Sequence, residues 1–308
     1  MPSFKSKMFN FLMRNRHLFH GKFKREVFDF NTSVKDFREQ CEKGASKYTK
    51  IPEGLKIKEQ NINGINSEWI IPEGANSKNV ILYVHGGGYV SGSCNDHRGF
   101  VSKFAKNCGV TTLQFEYRLA PEHPFPAGLN DSVAVYQWLL DKGFKPNNIV
   151  IAGESAGGGL VLAMLLSLKK QNISMPVAVV AISPWTDLTC SSDSYKTKNK
   201  VSVGPINSWK VFSKYYTGDN PPNLPLISPL FGDLKGLPPI FINSGENDEL
   251  YEDGEKFYLK AKKAGVDITF RAGKGMIHCY PLLAPFFREA TEALKEICDS
   301  INKHIGMA

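Results

Sequence analysis

Gly153-Glu154-Ser155-Ala156-Gly157 sets a serine hydroxyl between two glycines. The β-branched run Ile149-Val150-Ile151-Ala152 leads straight into it, and an apolar, helix-forming run at 160–168 follows at once. Strand, tight turn and helix in that order project a serine side chain from the top of a sheet. The same order sets it at a helix N-terminus, where free N–H groups favour developing negative charge. Glycines flank it because strand and helix approach closely there and a Cβ would collide. The chemistry implied is nucleophilic attack by Ser155. A bare Gly-x-Ser-x-Gly occurs often by chance, so the strand and helix around it carry the weight.

Three further groups could complete such chemistry. Val80-Ile81-Leu82-Tyr83-Val84 runs into His85-Gly86-Gly87-Gly88-Tyr89. Consecutive glycines leave backbone N–H groups uncovered, so Gly86, Gly87 and Gly88 form a candidate oxyanion hole with the N–H of Ala156 as a further donor. Gly245-Glu246-Asn247-Asp248-Glu249-Leu250-Tyr251-Glu252-Asp253 offers several carboxylates, any of which could orient a base. His278 stands in Gly275-Met276-Ile277-His278-Cys279-Tyr280, after the final strand. His123, held between Glu122 and Pro124 in a proline-rich loop, is expected to be structural. Serine, acidic loop, then histidine is the chain order of α/β-hydrolase triads. In that reading His278, neutral at working pH, takes the serine proton and returns it to the leaving alcohol. The acid fixes the imidazole tautomer.

Such residues need a scaffold. Residues 55–62 and 65–71 alternate apolar and polar around Asn63-Gly64, which predicts a hairpin at one sheet edge. Short apolar runs at 80–84, 110–115, 148–152, 177–182, 239–244 and 266–270 read as strands covered on both faces. Helical patterns fall at 34–48, 101–108, 131–140, 160–168, 254–264 and in a closing helix marked by Phe287, Ala290, Leu294, Ile297 and Ile301. Together they predict an α/β fold with a mostly parallel sheet and helices on both faces. The stretch 189–223 breaks the alternation. It is polar, rich in Ser and Lys, and carries Trp209, Phe212, Tyr215 and Tyr216. It reads as an insertion folding over the site. The domain reading is therefore residues 1–50 as the N-terminal part of a cap, 51–188 as the first part of the core, 189–223 as the cap insertion and 224–308 as the second part of the core.

Composition narrows the function classes. The 308 residues carry a net charge of +8, and Lys5, Lys7, Arg14, Arg16, Lys22, Lys24 and Arg25 supply seven of it within the first 25 residues, which hold no acid. The remaining +1 suggests no nucleic-acid surface. The basic arm is interleaved with Phe4, Phe9, Phe11, Leu12, Leu18, Phe19 and Phe23. It could touch an anionic membrane surface as an amphipathic helix, or equally cover the active site. It lacks the continuous apolar core of a secretory signal. No apolar run reaches bilayer-spanning length. Cys41, Cys94, Cys108, Cys190, Cys279 and Cys298 are scattered without a C-x-x-C, so free thiols in a reducing cytoplasm are expected. No metal-ligand spacing such as H-E-x-x-H appears, and no cofactor is expected.

Taken together, the motifs His85-Gly86-Gly87-Gly88, Tyr117-Arg118-Leu119-Ala120-Pro121-Glu122-His123-Pro124-Phe125-Pro126, Gly153-Glu154-Ser155-Ala156-Gly157-Gly158, Ser183-Pro184-Trp185, Asp248-x-Leu250 and Gly275-Met276-Ile277-His278 resemble those of the hormone-sensitive-lipase-like family of α/β-hydrolases, in its bacterial carboxylesterase branch. The resemblance runs from Ile65 nearly to the C-terminus. It implies the α/β-hydrolase fold with a two-part helical cap. It also implies Asp248 as the triad acid over Glu246, Glu249, Glu252 and Asp253. Gly87 and Gly88 become the main oxyanion donors, with Gly86 supporting the turn. It implies hydrolysis of short- to medium-chain acyl esters through an acyl-enzyme, without a cofactor. A homodimer is compatible with it. The sequence departs from the family at Glu116, where Asp is usual, at Glu249, where Pro is common, and at Cys279, where Gly is common. Glu249 could alter the loop holding Asp248, and Cys279 could narrow the leaving-group side. Competing readings are a lactone hydrolase or small-molecule deacetylase with the same triad, a lipase acting on membrane lipid, and a ligand-binding receptor on a hydrolase scaffold. Receptors of that kind lack the catalytic histidine, so His278 argues against the last.

Overall fold

The computed structural model describes residues 1–19, 25–48 and 50–307. Among the described residues, eight strands form one sheet: β1 (Leu55–Ile62), β2 (Ile65–Pro72), β3 (Val80–Val84), β4 (Thr111–Phe115), β5 (Ile149–Glu154), β6 (Ala178–Ile182), β7 (Ile240–Gly245) and β8 (Ile268–Gly273). Their spatial order is β1-β2-β4-β3-β5-β6-β7-β8. The β1–β2 hairpin joins antiparallel to β4, and every later pair is parallel. The expected hairpin turns at Asn63 and Gly64, both with positive φ.

Among the described residues there are ten α-helices: α1 (Phe4–Arg14), α2 (Arg16–Phe19), α3 (Val34–Tyr48), α4 (Cys94–Cys108), α5 (Ala127–Asp141), α6 (Ala156–Gln171), α7 (Ser194–Thr197), α8 (Ser208–Thr217), α9 (Tyr251–Lys263) and α10 (Arg288–His304). The strand period of two sorts the core. Val80, Leu82 and Val84 face α5, α6 and α9, while Ile81 and Tyr83 face α4 and α10. Helix α6 is buried continuously from Ala156 to Leu168, as an all-round apolar helix must be. Helices α4, α5 and α9 start earlier than the apolar period indicates. In α4 the reason is a capping box, in which Ser93 Oγ accepts from Asp96 N and Asp96 Oδ1 accepts from Ser93 N.

The expectation of six free thiols fails for one pair. Cys108 at the end of α4 and Cys298 in α10 form a disulfide, 190 residues apart in sequence with Cα atoms 4.7 Å apart. The two helices lie side by side on one face of the sheet, an adjacency that no local cysteine spacing records. Cys41, Cys94, Cys190 and Cys279 are free. Among the described residues, no helix is long and apolar enough to cross a membrane.

The N-terminal segment and the 189–223 stretch meet directly. Phe28 N donates to Ile206 O and Ile206 N to Glu26 O. Arg25 donates to the carbonyls of Asn199, Ser202 and Gly204. The rings of Phe28, Phe37 and Phe212 pack edge-on and tilted, 4.7 to 5.6 Å between centroids. Arg38 of α3 ties this layer to the core through Glu122, Val90 O and Ala120 O. Lys22, Phe23 and Lys24 of the basic arm lie outside the described residues.

Candidate active site

Ser155 sits between β5 and α6 with φ 57° and ψ −122°, a conformation that costs a non-glycine residue about 1–3 kcal/mol. Backbone bonds hold it there. Ser155 N donates to Ile182 O, and its own carbonyl accepts from Gly159 N and Trp185 N. The close approach expected at Gly157 is present, since a Cβ there would stand 2.2 Å from Val84 O and 2.4 Å from His85 O. Strand β3, the glycine turn and the serine turn are thus packed backbone against backbone.

The glycine turn borders the serine. A Cβ on Gly86 would lie 3.1 Å from Ser155 Cβ. Gly86 N is already bonded to Glu154 Oε1 at 2.6 Å, so among the three glycines it braces the turn. The N–H groups of Gly87, Gly88 and Ala156 take no partner among the described residues. Gly88 has φ 64°, and a Cβ there would stand 2.3 Å from the Phe212 ring. Only glycine satisfies both the turn and the overlying aromatic.

Beneath the turn lies a buried charged group. Glu154 Oε1 also pairs with His97 Nε2 at 3.0 Å, and His97 Nδ1 pairs with Asp96. Burial opposes a charge on His97, but its hydrogen bonds to Asp96 and Glu154 outweigh burial and lift its pKa to about 10. His85, stacked on Tyr117 at 4.2 Å, shows the opposite result. Burial, reinforced by the charge on His97, pushes its pKa down to about 4. One histidine under the turn is therefore charged and its neighbour neutral. Sequence reading passed over this arrangement. A His three residues into a helix that follows the glycine motif, and a Glu preceding the serine, were its only signals.

His278 Nδ1 lies 2.8 Å from Asp248 Oδ2, and Asp248 is buried. The other carboxylates of the acidic loop are engaged elsewhere. Glu246 accepts from Gly275 N, and Glu249 from Asn199 Nδ2 and Trp209 Nε1. Glu252 pairs with Lys256. Asp253 accepts from Thr186 N, Asp187 N and Tyr195. Asn247 fastens the acidic loop to the histidine loop through Met276 O and Gly275 O. Burial of the His278 ring favours its neutral form, yet the Asp248 carboxylate outweighs that and holds the pKa well above its ordinary value, so the ring expected to be neutral at working pH is neutral only above that raised value. The neighbouring Cys279 N donates to Ser183 Oγ, next to the Ile182 carbonyl that anchors Ser155. This brings the histidine loop to the nucleophile turn. His123 is exposed in the loop after β4 and donates its N–H to Leu119 O.

The sequence pattern of the α/β hydrolase fold family matches residues 81–282. The chain is 36% identical over 231 residues to an acetyl-hydrolase of Streptomyces hygroscopicus, covering 74% of this chain and 77% of that protein. It is 35% identical over 247 residues to an esterase of Acinetobacter venetianus, covering 80% and 81%. A solved esterase of the bacterial hormone-sensitive lipase family superimposes with a TM-score of 0.90 at 34% identity, over 99% of this chain and all of that one. The chain belongs to the hormone-sensitive-lipase-like bacterial carboxylesterases of the α/β hydrolase fold. It is an ester-hydrolysing enzyme. In this carboxylesterase the 189–223 stretch comes down on the site. Trp209 of α8 meets the His278 ring edge-on at 5.7 Å, while Phe212, one turn later, lies over Gly88. Their spacing of three on one helix was the sequence signal that both face the same way.

Proposed function

We propose that this carboxylesterase hydrolyses small acyl esters through Ser155, His278 and Asp248. The observation that carries the reading is the 2.8 Å bond from His278 Nδ1 to Asp248 Oδ2, in a loop that Cys279 N ties to Ser183 next to the Ile182 anchor of a serine held at positive φ on a helix N-terminus. Asp248 keeps the proton on Nδ1, leaving Nε2 to accept the Ser155 proton. Attack on the ester carbonyl gives a tetrahedral oxyanion, which the N–H groups of Gly87, Gly88 and Ala156 receive. Collapse expels the alcohol as His278 returns the proton. Water, activated by the same imidazole, then releases the acid from the acyl-enzyme.

Within the N-terminal segment, the part from Arg25 to Phe37 that bonds to the 189–223 stretch forms the cap with it, while α1 packs on α10 outside the cap. The aromatic pair Trp209 and Phe212 over the catalytic groups, and the acetyl-hydrolase relative, support short acyl groups over long ones. The test is the initial rate on p-nitrophenyl esters of rising acyl length for the wild type and Ser155→Ala. Expected are a maximum at short chains and a loss of about 10⁶-fold in kcat for the variant. A variant retaining wild-type rates would remove Ser155 as nucleophile.

A further inference from the structure

Helix α1 packs through one face and leaves an apolar one exposed. On the inner face Ser6 is buried, Phe9 packs against Phe286 and Phe287, and Asn10 Nδ2 donates to Gly275 O. Ser3 Oγ donates to Glu289 at the start of α10. These contacts fasten the helix to the loop that carries His278. Phe4, Met8, Phe11 and Leu12 follow the i, i+4, i+7, i+8 spacing of a single helical stripe and point to solvent, Phe4 80% and Phe11 57% exposed. Leu18 beyond the helix and Phe286, stacked on Phe9, are exposed as well.

The charges around that stripe decide its occupant. Lys5 borders it on one side, and Lys7 and Arg14 border it on the other. None of the three takes a hydrogen-bond or ion-pair partner among the described residues, whereas Arg16 and Arg25 are spent on carbonyls of the 189–223 stretch. An apolar stripe flanked by unpaired cations is the pattern of a helix lying in the headgroup region of an anionic bilayer. A second copy of the chain fits poorly. A two-fold contact through this face would bring the cations Lys5, Lys7 and Arg14 of one copy against those of the other.

We propose that α1 is an interfacial helix that docks the enzyme on anionic lipid, with Phe4, Met8, Phe11 and Leu12 in the acyl boundary and Lys5, Lys7 and Arg14 on the headgroups. The surface is separate from the triad, so docking and ester cleavage are read independently. The experiment is flotation of the full chain with phosphatidylglycerol-rich vesicles and with pure phosphatidylcholine vesicles, at low and high salt. Two variants accompany it, Lys5→Glu/Lys7→Glu and Phe4→Ser/Phe11→Ser. The wild type should float with the anionic vesicles alone and detach at high salt. Each variant should lower the bound fraction by more than about tenfold while hydrolysing a soluble p-nitrophenyl ester at the wild-type rate. Wild type that stays at the bottom of the gradient, or variants that float equally well, overturn the proposal. So does a stripe-dependent dimer in sedimentation without lipid binding.

Discussion

Below Ser155 the carboxylesterase packs backbone on backbone; above it, side chain on side chain. The floor is β3, β5, the glycine turn and α6, where a Cβ on Gly157 would collide with two carbonyls, the Ser155 amide is bonded to the end of β6 and its carbonyl accepts from Gly159 N and Trp185 N. The roof is α8 and the N-terminal segment, joined by a cluster of Phe28, Phe37 and Phe212 and by Arg25 reaching across to three carbonyls. Backbone packing admits almost no alternative residue, whereas aromatic packing tolerates volume-conserving exchange. The floor should therefore govern the rate of the chemical step and the roof its selectivity.

The comparison breaks if floor changes alter selectivity, or roof changes abolish catalysis. The largest effect after loss of the nucleophile is expected for Asp248→Asn, about 10⁴-fold in kcat, because the amide no longer fixes the proton on Nδ1. The same variant tests the electrostatics. The Asp248 carboxylate raises the His278 pKa, so the base is protonated until the pH passes that raised value. The wild-type kcat/KM should climb into alkaline pH, and the residual activity of Asp248→Asn should show its rise at lower pH. A wild-type rise complete at or below pH 6.5 would contradict the assignment. Next comes Glu154→Gln. It keeps the shape but removes the charge that His97 needs and weakens the bond bracing Gly86. Displaced oxyanion donors should cost about tenfold to a hundredfold in kcat with KM little changed, read from steady-state kinetics. An equal rise in KM would mean that the group shapes the substrate pocket instead.

The same contrast explains what was legible in the sequence. Strand β3, the glycine turn and the elbow around Ser155 were plain, since backbone constraints restrict residue type and glycine leaves a visible mark. His278 could be read from its place after the last strand. Asp248 could be separated from Glu246, Glu249, Glu252 and Asp253 by family resemblance alone. The structural distinction is that Glu246, Glu249 and Asp253 answer to Gly275, Trp209 and Thr186, which the chain brings in from three other segments, while Glu252 pairs with Lys256 one turn along α9. The disulfide and the group formed by Asp96, His97 and Glu154 were missed for the same reason. Each joins residues that only the packed sheet makes neighbours. The polar, aromatic stretch at 189–223 announced a break in the alternation but not which of its rings would reach the site.

Trp209→Ala is the smallest expected change and the sharpest test of the division. The indole meets the His278 imidazole edge-on, yet its Nε1 is directed to Glu249. If it belongs to the roof, removing it opens room for the acyl chain and leaves the His278–Asp248 bond in place. Activity on the shortest ester should then fall by no more than a few-fold. The ratio of kcat/KM for a longer ester to that for acetate should rise by about tenfold, the scale on which one or two methylenes discriminate in an apolar pocket. A chain-length series on the purified variant reads both numbers at once. A uniform drop in kcat at every chain length, with the ratio unmoved, would instead make Trp209 a support for His278. The line between floor and roof would then run through α8 rather than beneath it.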